Sequence, residues 1–331
     1  MGEQMLRGSI AARVDGYQRF SLLWKLAGEA KGDGLQTRPF TSALFTMLDT
    51  LQHEHPDIRL IGRSWLADNA DKAERILDPL LLVVLDPTTV RREGCIYAQR
   101  YDTARVLSAL RVLRVLFDGE SGVFAARALQ KLVSRDVMAL NDTHNASSRE
   151  LTSLHVVHYV DLITVAALRF IQGAFAPGTN ADAVAANEVV QATAAELLNR
   201  MLTRVGVSSS TGPRISSSIQ GAVLSSMAQA ISGSNQVLQV HLLSLLRTMI
   251  QIDANALRNG LVCTDVAHDD GDQHDLSFQH EATQCQPVMD TQMFLQTLLI
   301  GLLQPPRKNL RSYWLDFTSS SLSVAACSRE T

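Results

Sequence analysis

Arg75-Ile-Leu-Asp-Pro-Leu-Leu-Leu-Val-Val-Leu-Asp-Pro-Thr-Thr-Val-Arg91 decides the fold, because two Asp-Pro pairs frame six consecutive apolar residues and no catalytic group. Asp78 is a residue type that caps a helix, and Pro79, with φ fixed and no N–H, suits the first helical position. The expected helix therefore begins at Pro79, runs apolar on every face from Leu80 to Leu85, and stops at Asp86-Pro87. A short apolar run between turn signals is also compatible with a buried strand. The neighbouring sequence settles that choice. From Tyr101 to Phe117, Val106, Leu110, Leu113 and Phe117 fall on one helical stripe behind a candidate cap at Asp102, and no partner strand is evident nearby. Trp65, Leu80, Leu81, Leu82, Val106, Leu110 and Leu113 are the expected core.

The same pattern repeats outward along the chain. Phe40 to Gln52 and Asp57 to Leu66 read as a helical hairpin joined through His53-Glu54-His55-Pro56, with stripes Phe40, Leu44, Leu48, Leu51 and Ile58, Ile61, Trp65 facing each other. A second hairpin is expected near the C-terminus, where Phe294, Leu298 and Leu302 precede Pro305-Pro306 and a helix with Leu310, Tyr313, Trp314 and Phe317. Arg63-Ser64-Trp65-Leu66 echoes Arg311-Ser312-Tyr313-Trp314-Leu315 with one insertion. Between them, helices are expected over Val123 to Ala139, Arg149 to Phe175, Ala183 to Val205, Ile215 to Ile231, Val237 to Ile252 and Val288 to Leu303, with Ser147 and Glu150 as a capping box for the second. The fold class is all-α: a curved array of antiparallel helix pairs, a degenerate HEAT- or armadillo-like solenoid. Its expected divisions are a poorly ordered or short helical segment at 1–36, a first block at 37–206, a Ser-rich linker at 207–214, and a second block at 215–331 with an acidic loop at 253–286.

These residues resemble the Dopey family, large proteins of Golgi and endosomal membrane traffic. The resemblance rests on Trp65-Leu66, the Arg-x-Leu-Asp-Pro-Leu-Leu-Leu block from Arg75 to Leu82, Asp86-Pro87-Thr88 with Arg91, and the Tyr101-Asp102 helix. It continues in Val237 to Arg247 and in Tyr313-Trp314-Leu315-Asp316-Phe317. It spans the chain from about residue 40 onward and suits an internal helical segment of a much longer protein. No Gly-x-Ser-x-Gly elbow, phosphate loop or dinucleotide fingerprint appears, so a scaffold without enzymatic activity or cofactors is expected. The resemblance implies a large Arf-exchange-factor-related scaffold and a P-type ATPase lipid flippase as partners, at the cytoplasmic face of Golgi and endosomal membranes and in the cytosol.

Composition agrees with helix pairing: 46% of the 331 residues are hydrophobic but only 5% aromatic, a balance better suited to helices than to a β-sandwich. A formal charge of −3 gives no whole-chain attraction to nucleic acid, so none is expected as partner. Leu154 to Ala176, the most apolar long stretch, includes His155, His158, Asp161 and Arg169. Membrane association is therefore expected to be peripheral, without a transmembrane helix. Cysteines at 95, 263, 285 and 327 form no Cys-x-x-Cys pair and read as reduced thiols.

The expected metal content is none. His268 to Glu281 mixes imidazoles with carboxylates but lacks both the calcium-loop and the His-Glu-x-x-His spacing, while His53 and His55 flank a helix connection. A helical metal-dependent hydrolase built from His53, His55, His268, His274 and His280 is the alternative function, and an unrelated helical-repeat adaptor is another. The candidate interaction surface is basic. At a helical rotation of about 100° per residue, Arg100, Arg111 and Arg114 fall within one narrow sector beside the Val106, Leu110 and Leu113 stripe.

Overall fold

The computed structural model describes residues 9–29, 41–92, 95–118, 128–146, 156–206, 211–258, 291–304 and 308–327. Contacts divide the chain into two compact units, Met1–Arg204 and Val205–Thr331. Both are all-α and built of paired helices. Extended pairing among the described residues is confined to isolated bridges, Arg91 with Tyr97, Ile96 with Ala174 and Leu132 with His158.

The first unit opens with α1 (Ile10–Glu29), a helix of 20 residues within the segment 1–36 that was expected to be poorly ordered or short helical. Tyr17, Phe20 and Trp24 recur on one face of α1, and all three are buried. Aromatic burial at that spacing carries most of the stabilisation that an isolated helix lacks. The expected hairpin follows as α2 (Thr41–Asp49), a 3-10 turn at Thr50–Gln52, and α3 (Pro56–Asp68). Pro56 occupies the first turn of α3, where its missing N–H removes no helical bond. The Arg59 guanidinium donates to the carbonyls of His53 and Glu54 at 2.7 and 2.8 Å, so the His-Glu-His connection is held by turn chemistry.

The decisive stretch is helical, but it starts earlier than Pro79. A 3-10 turn at Ala70–Lys72 leads into α4 (Glu74–Val84), with Pro79 in its interior. Pro79 therefore gives up the bond that an N–H would donate to the Arg75 carbonyl. Two contacts offset this loss. Ile76 and Leu77 are fully buried on the turn preceding Pro79, and the Arg75 guanidinium lies over the Trp24 ring, 4.3 Å from its centroid. Asp78 is not a cap: it accepts a 2.6 Å bond from the Tyr159 hydroxyl. Leu80 and Leu81 are buried as expected, whereas Leu82 is 43% exposed. Neighbours cover α4 on only part of its circumference, and Leu82 turns outward. Asp86 ends the run as anticipated by accepting from the Thr88 N–H at 2.9 Å at the next 3-10 turn, Pro87–Thr89.

Helix α5 (Thr103–Leu116) is capped by Asp102, which accepts from the Arg105 N–H at 3.0 Å, and it buries Val106, Leu110 and Leu113. The long helix expected from Val123 to Ala139 is not continuous. Val133 N donates to the Val157 carbonyl and Tyr159 N to that of Lys131, so the chain pairs laterally there before α6 (Arg135–Ala146) begins. That pairing also removes residues 156–158 from the next helix, which becomes α7 (Tyr159–Gln172) with Asp161 accepting from the His158 N–H at 3.0 Å. The Ser147–Glu150 capping box and His155 lie outside the described residues. Thirteen of the fourteen residues of α7 are buried, making it the central element of this unit. Helix α8 (Ala181–Val205) follows.

In the second unit, α9 (Thr211–Ser232) and α10 (Gln236–Arg258) form a hairpin. The expected linker at 207–214 and loop from 253 are both corrected at their edges. Gly212, whose Cα side abuts Gly206 and Ile252, and Pro213 belong to α9, and residues 253–258 complete α10. Close packing extends these helices past the polar sequence signals. The rest of the acidic segment, 259–286, lies outside the described residues. Helices α11 (Thr291–Leu302) and α12 (Lys308–Cys327) pack on each other and on the α9–α10 pair.

Candidate interaction surface and buried polar groups

Of the three arginines expected to form one basic face, Arg111 and Arg114 stand three residues apart on α5 and Arg100 precedes the helix. Arg100 precedes the α5 cap and is exposed, Arg111 is exposed on α5, and Arg114 is only partly so. Arg114 Nη1 lies 2.7 Å from Glu196 Oε2 on α8, while Arg200 Nη2 meets Glu196 Oε1 at 2.8 Å and Arg200 Nη1 meets Asp118 at 2.6 Å. Burial raises the Glu196 pKa, but the hydrogen bonds and charges of the two arginines outweigh that effect and hold it below the usual carboxylate range. Arg114 is thus committed to a network tying α5 to α8. A polar cleft of about 150 Å³ beside it is lined by Leu51, Gln52, Arg63, Arg114, Asp118 and Arg200, among others. Glu196 is 82 residues from Arg114, too distant for helical periodicity to reveal the pairing.

Several fully buried polar groups also join elements distant in the chain, whereas buried Thr46, Thr164, Thr193 and Ser226 bond carbonyls of their own helices. Tyr101 donates its hydroxyl to Asn187 at 2.7 Å, and Asn187 donates to the Gly173 carbonyl at 2.9 Å. A Cβ on Gly173 would overlap the Tyr97 ring, so the chain passes that aromatic only as glycine. The Arg91 guanidinium, 6% exposed, donates to the Arg169 carbonyl at 3.1 Å. His144 is buried against the Leu85 carbonyl at 3.1 Å, and desolvation lowers its pKa. Burial raises the Asp78 pKa, opposed by hydrogen bonds from Tyr159 and Ser134.

The expected histidine constellation is only partly described. His55 N donates to His53 Nδ1 at 3.0 Å, consistent with a turn, while His268, His274 and His280 lie outside the described residues. Among the described residues, no group of three or more His, Cys, Asp or Glu side chains is placed to hold a metal. No described helix is long and apolar enough to cross a membrane.

The aromatic cluster around Trp65 was not recognised from the hairpin stripes. Phe20, Trp24 and Trp65 have ring centroids 5.6 to 5.8 Å apart. Trp24 Nε1 donates to Asn69 at 3.0 Å, and Asn69 donates to the Trp65 carbonyl at 2.8 Å. The available signal was the spacing of Tyr17, Phe20 and Trp24, which α1 presents to α3.

Paired helices, lateral stacking and polar groups used to join neighbouring elements define a helical-repeat protein. Residues 1–75 match the family described as DOP1B-like, TPR repeats, and 83 residues are 35% identical to Protein DOP1B of Mus musculus. The chain carries a segment of the Dopey family. The similarity covers 24% of this chain and 4% of the mouse protein, and no solved structure matches. The family match includes α1 and the Trp65 hairpin, thereby extending to the segment before residue 40. It names TPR repeats, another paired-helix architecture, rather than the HEAT or armadillo types.

Proposed function

We propose that this chain is a non-enzymatic scaffold segment in Golgi–endosome membrane trafficking and protein transport. The observation carrying this reading is the use of partly or fully buried polar side chains to join elements distant in the chain, as in Arg114–Glu196 and Tyr101–Asn187, within a chain bearing a Dopey-family segment. Its proposed partners are a large Arf-exchange-factor-related scaffold and a P-type ATPase lipid flippase. The proposed location is the cytoplasmic face of Golgi and endosomal membranes, reached through proteins rather than through a basic lipid-binding face. Pairing of Arg114 with Glu196 weakens the attraction that Arg100, Arg111 and Arg114 together offer an anionic surface, leaving Arg100 and Arg111 as the exposed members of that candidate face.

The test is affinity capture with the tagged chain from cytosol containing attached membranes, alongside sedimentation with anionic liposomes. Recovery of the two proposed partner classes, with little liposome binding at physiological ionic strength, supports the reading. Failure to recover either class, or strong liposome sedimentation abolished by replacing Arg100 and Arg111, overturns it.

A further inference from the structure

Several elements of the first unit meet at the polar cleft of about 150 Å³ beside Arg114. The 3-10 turn after α2 contributes Leu51, α3 contributes Arg63, α5 contributes Arg114, and α8 contributes Arg200, with Asp118 just beyond α5. The cleft is well below the roughly 300 to 1,000 Å³ of small-molecule pockets. It has room for one side chain rather than for a cofactor.

The guanidiniums are set in place by the protein itself. Glu196 accepts from Arg114 with one carboxylate oxygen and from Arg200 with the other, and Arg200 also reaches Asp118. Arg63 has an interaction of its own within the protein. Both Glu196 oxygens are thus engaged, yet Arg114 Nε is buried with no hydrogen-bond partner among the described residues. A buried donor of a charged group costs free energy until an acceptor reaches it. The charges point to the kind of acceptor. Three guanidiniums stand against two carboxylates, Asp118 and Glu196, which leaves one positive charge in excess among these residues. That balance suits a single carboxylate, whereas a phosphate group, with a charge of about −1.5 to −2 at neutral pH, would make the cleft negative.

We propose that this cleft receives the carboxylate of an acidic side chain from a partner protein. The carboxylate accepts from Arg114 Nε–H and from the Arg63 guanidinium, in the charge-assisted geometry that arginine favours. Leu51 and Val115, the apolar residues of the lining, contact the aliphatic stem that a side chain has and an inorganic ion lacks. Because the arginines are held beforehand by Glu196 and Asp118, little ordering remains to oppose binding.

Nuclear magnetic resonance of the arginine side-chain N–H groups in the full chain tests this. The probe is a blocked pentapeptide with one glutamate among glycines, titrated beside its glutamine counterpart and inorganic phosphate. Saturable shifts at Arg63 and Arg114 are expected with the glutamate peptide, at a dissociation constant on the order of millimolar. Arg111, exposed outside the cleft, is expected to stay unshifted. Arg114→Lys keeps a charge opposite Glu196 but removes Nε–H, and is expected to weaken binding about tenfold. Arg63→Gln, which leaves the Arg114–Glu196 pair in place, is expected to weaken it severalfold with unchanged helical circular dichroism. Absence of saturable shifts, equal shifts at Arg111 or with the glutamine peptide, or undiminished binding by either variant would overturn the proposal. So would tighter binding of phosphate than of the glutamate peptide, which would assign the cleft to a phosphate group. No trafficking partner enters the measurement, so a negative result would leave the scaffold reading standing.

Discussion

Trp65 and Trp314 occupy similar sequence settings in two helical hairpins, yet the two units bury them differently. Trp65 is surrounded by aromatic rings from α1, and its indole N–H has no hydrogen-bond partner among the described residues. Trp314 lies flat against Gly301, and its N–H points to Gln239 Oε1 at 3.4 Å. Gln239 also accepts from Gln304 and donates to the Ala230 carbonyl. One hairpin is held chiefly by apolar bulk. The other depends on close approach and a buried amide that joins several elements, so the same residue type is sensitive to different changes in its two settings.

The largest effect is expected from removing bulk. Trp65→Ala should destabilise the first unit by about 3 to 5 kcal/mol, because it removes apolar transfer energy and leaves a cavity beside Phe20 and Trp24. Urea denaturation monitored by circular dichroism measures this change, and a loss under about 1 kcal/mol would end the core assignment.

Close approach is tested by adding one methyl group to each hairpin. A Cβ on Gly301 meets the Trp314 ring, whereas one on Gly62 first meets the Thr50 side chain. Alanine gains about 0.5 to 1 kcal/mol in helix propensity over glycine, but Trp314 is confined by its buried site. Gly301→Ala is therefore expected to lose about 1 to 3 kcal/mol net through overpacking, and Gly62→Ala a comparable amount, because displacing the buried Thr50 hydroxyl breaks its bond to the Met47 carbonyl. Clearly unequal losses in parallel denaturation curves would show that one hairpin absorbs the close contact.

The smallest effect concerns buried carboxylates. Asp78 receives a hydrogen bond from Tyr159. Desolvation instead pushes Asp253 up to about 6, Ser216 nearby offsetting only part of this, while Asp253 Oδ1 and Ser216 Oγ lack a hydrogen-bond partner among the described residues. A carboxyl whose folded pKa is raised binds more protons when folded, so its contribution is most favourable below the unfolded value of 3.8 and is lost as pH rises through about 6. Relative to Asp253→Asn, the wild type should lose stability over that window. Equal pH dependence in thermal denaturation of the two proteins would exclude a titration at Asp253.

Helical periodicity made much of the secondary structure legible. It identified the Trp65 hairpin, the α5 stripe with its Asp102 cap, and the approximate extent of α8, α9 and α10, because each follows from local spacing and capping. The candidate surface was less legible. Arg100, Arg111 and Arg114 fit one sector only if the helix includes Arg100, and the chain does not become helical until Thr103. Pro79 misled for a related reason: Asp-Pro is a helix-start signal, but burial of Ile76 and Leu77 moves the start to Glu74.

The sequence by itself determined the helical class, the principal hairpins and the resemblance to Dopey proteins, all of which are carried by local pattern. Tertiary structure decided that α1 completes the Trp65 cluster, that Glu196 engages Arg114, that residues 131–133 and 157–159 pair instead of continuing helices, and that Leu82 faces outward. Periodicity specifies which residues share one helix face, but not which distant element meets that face. Burial and charge pairing depend on that meeting.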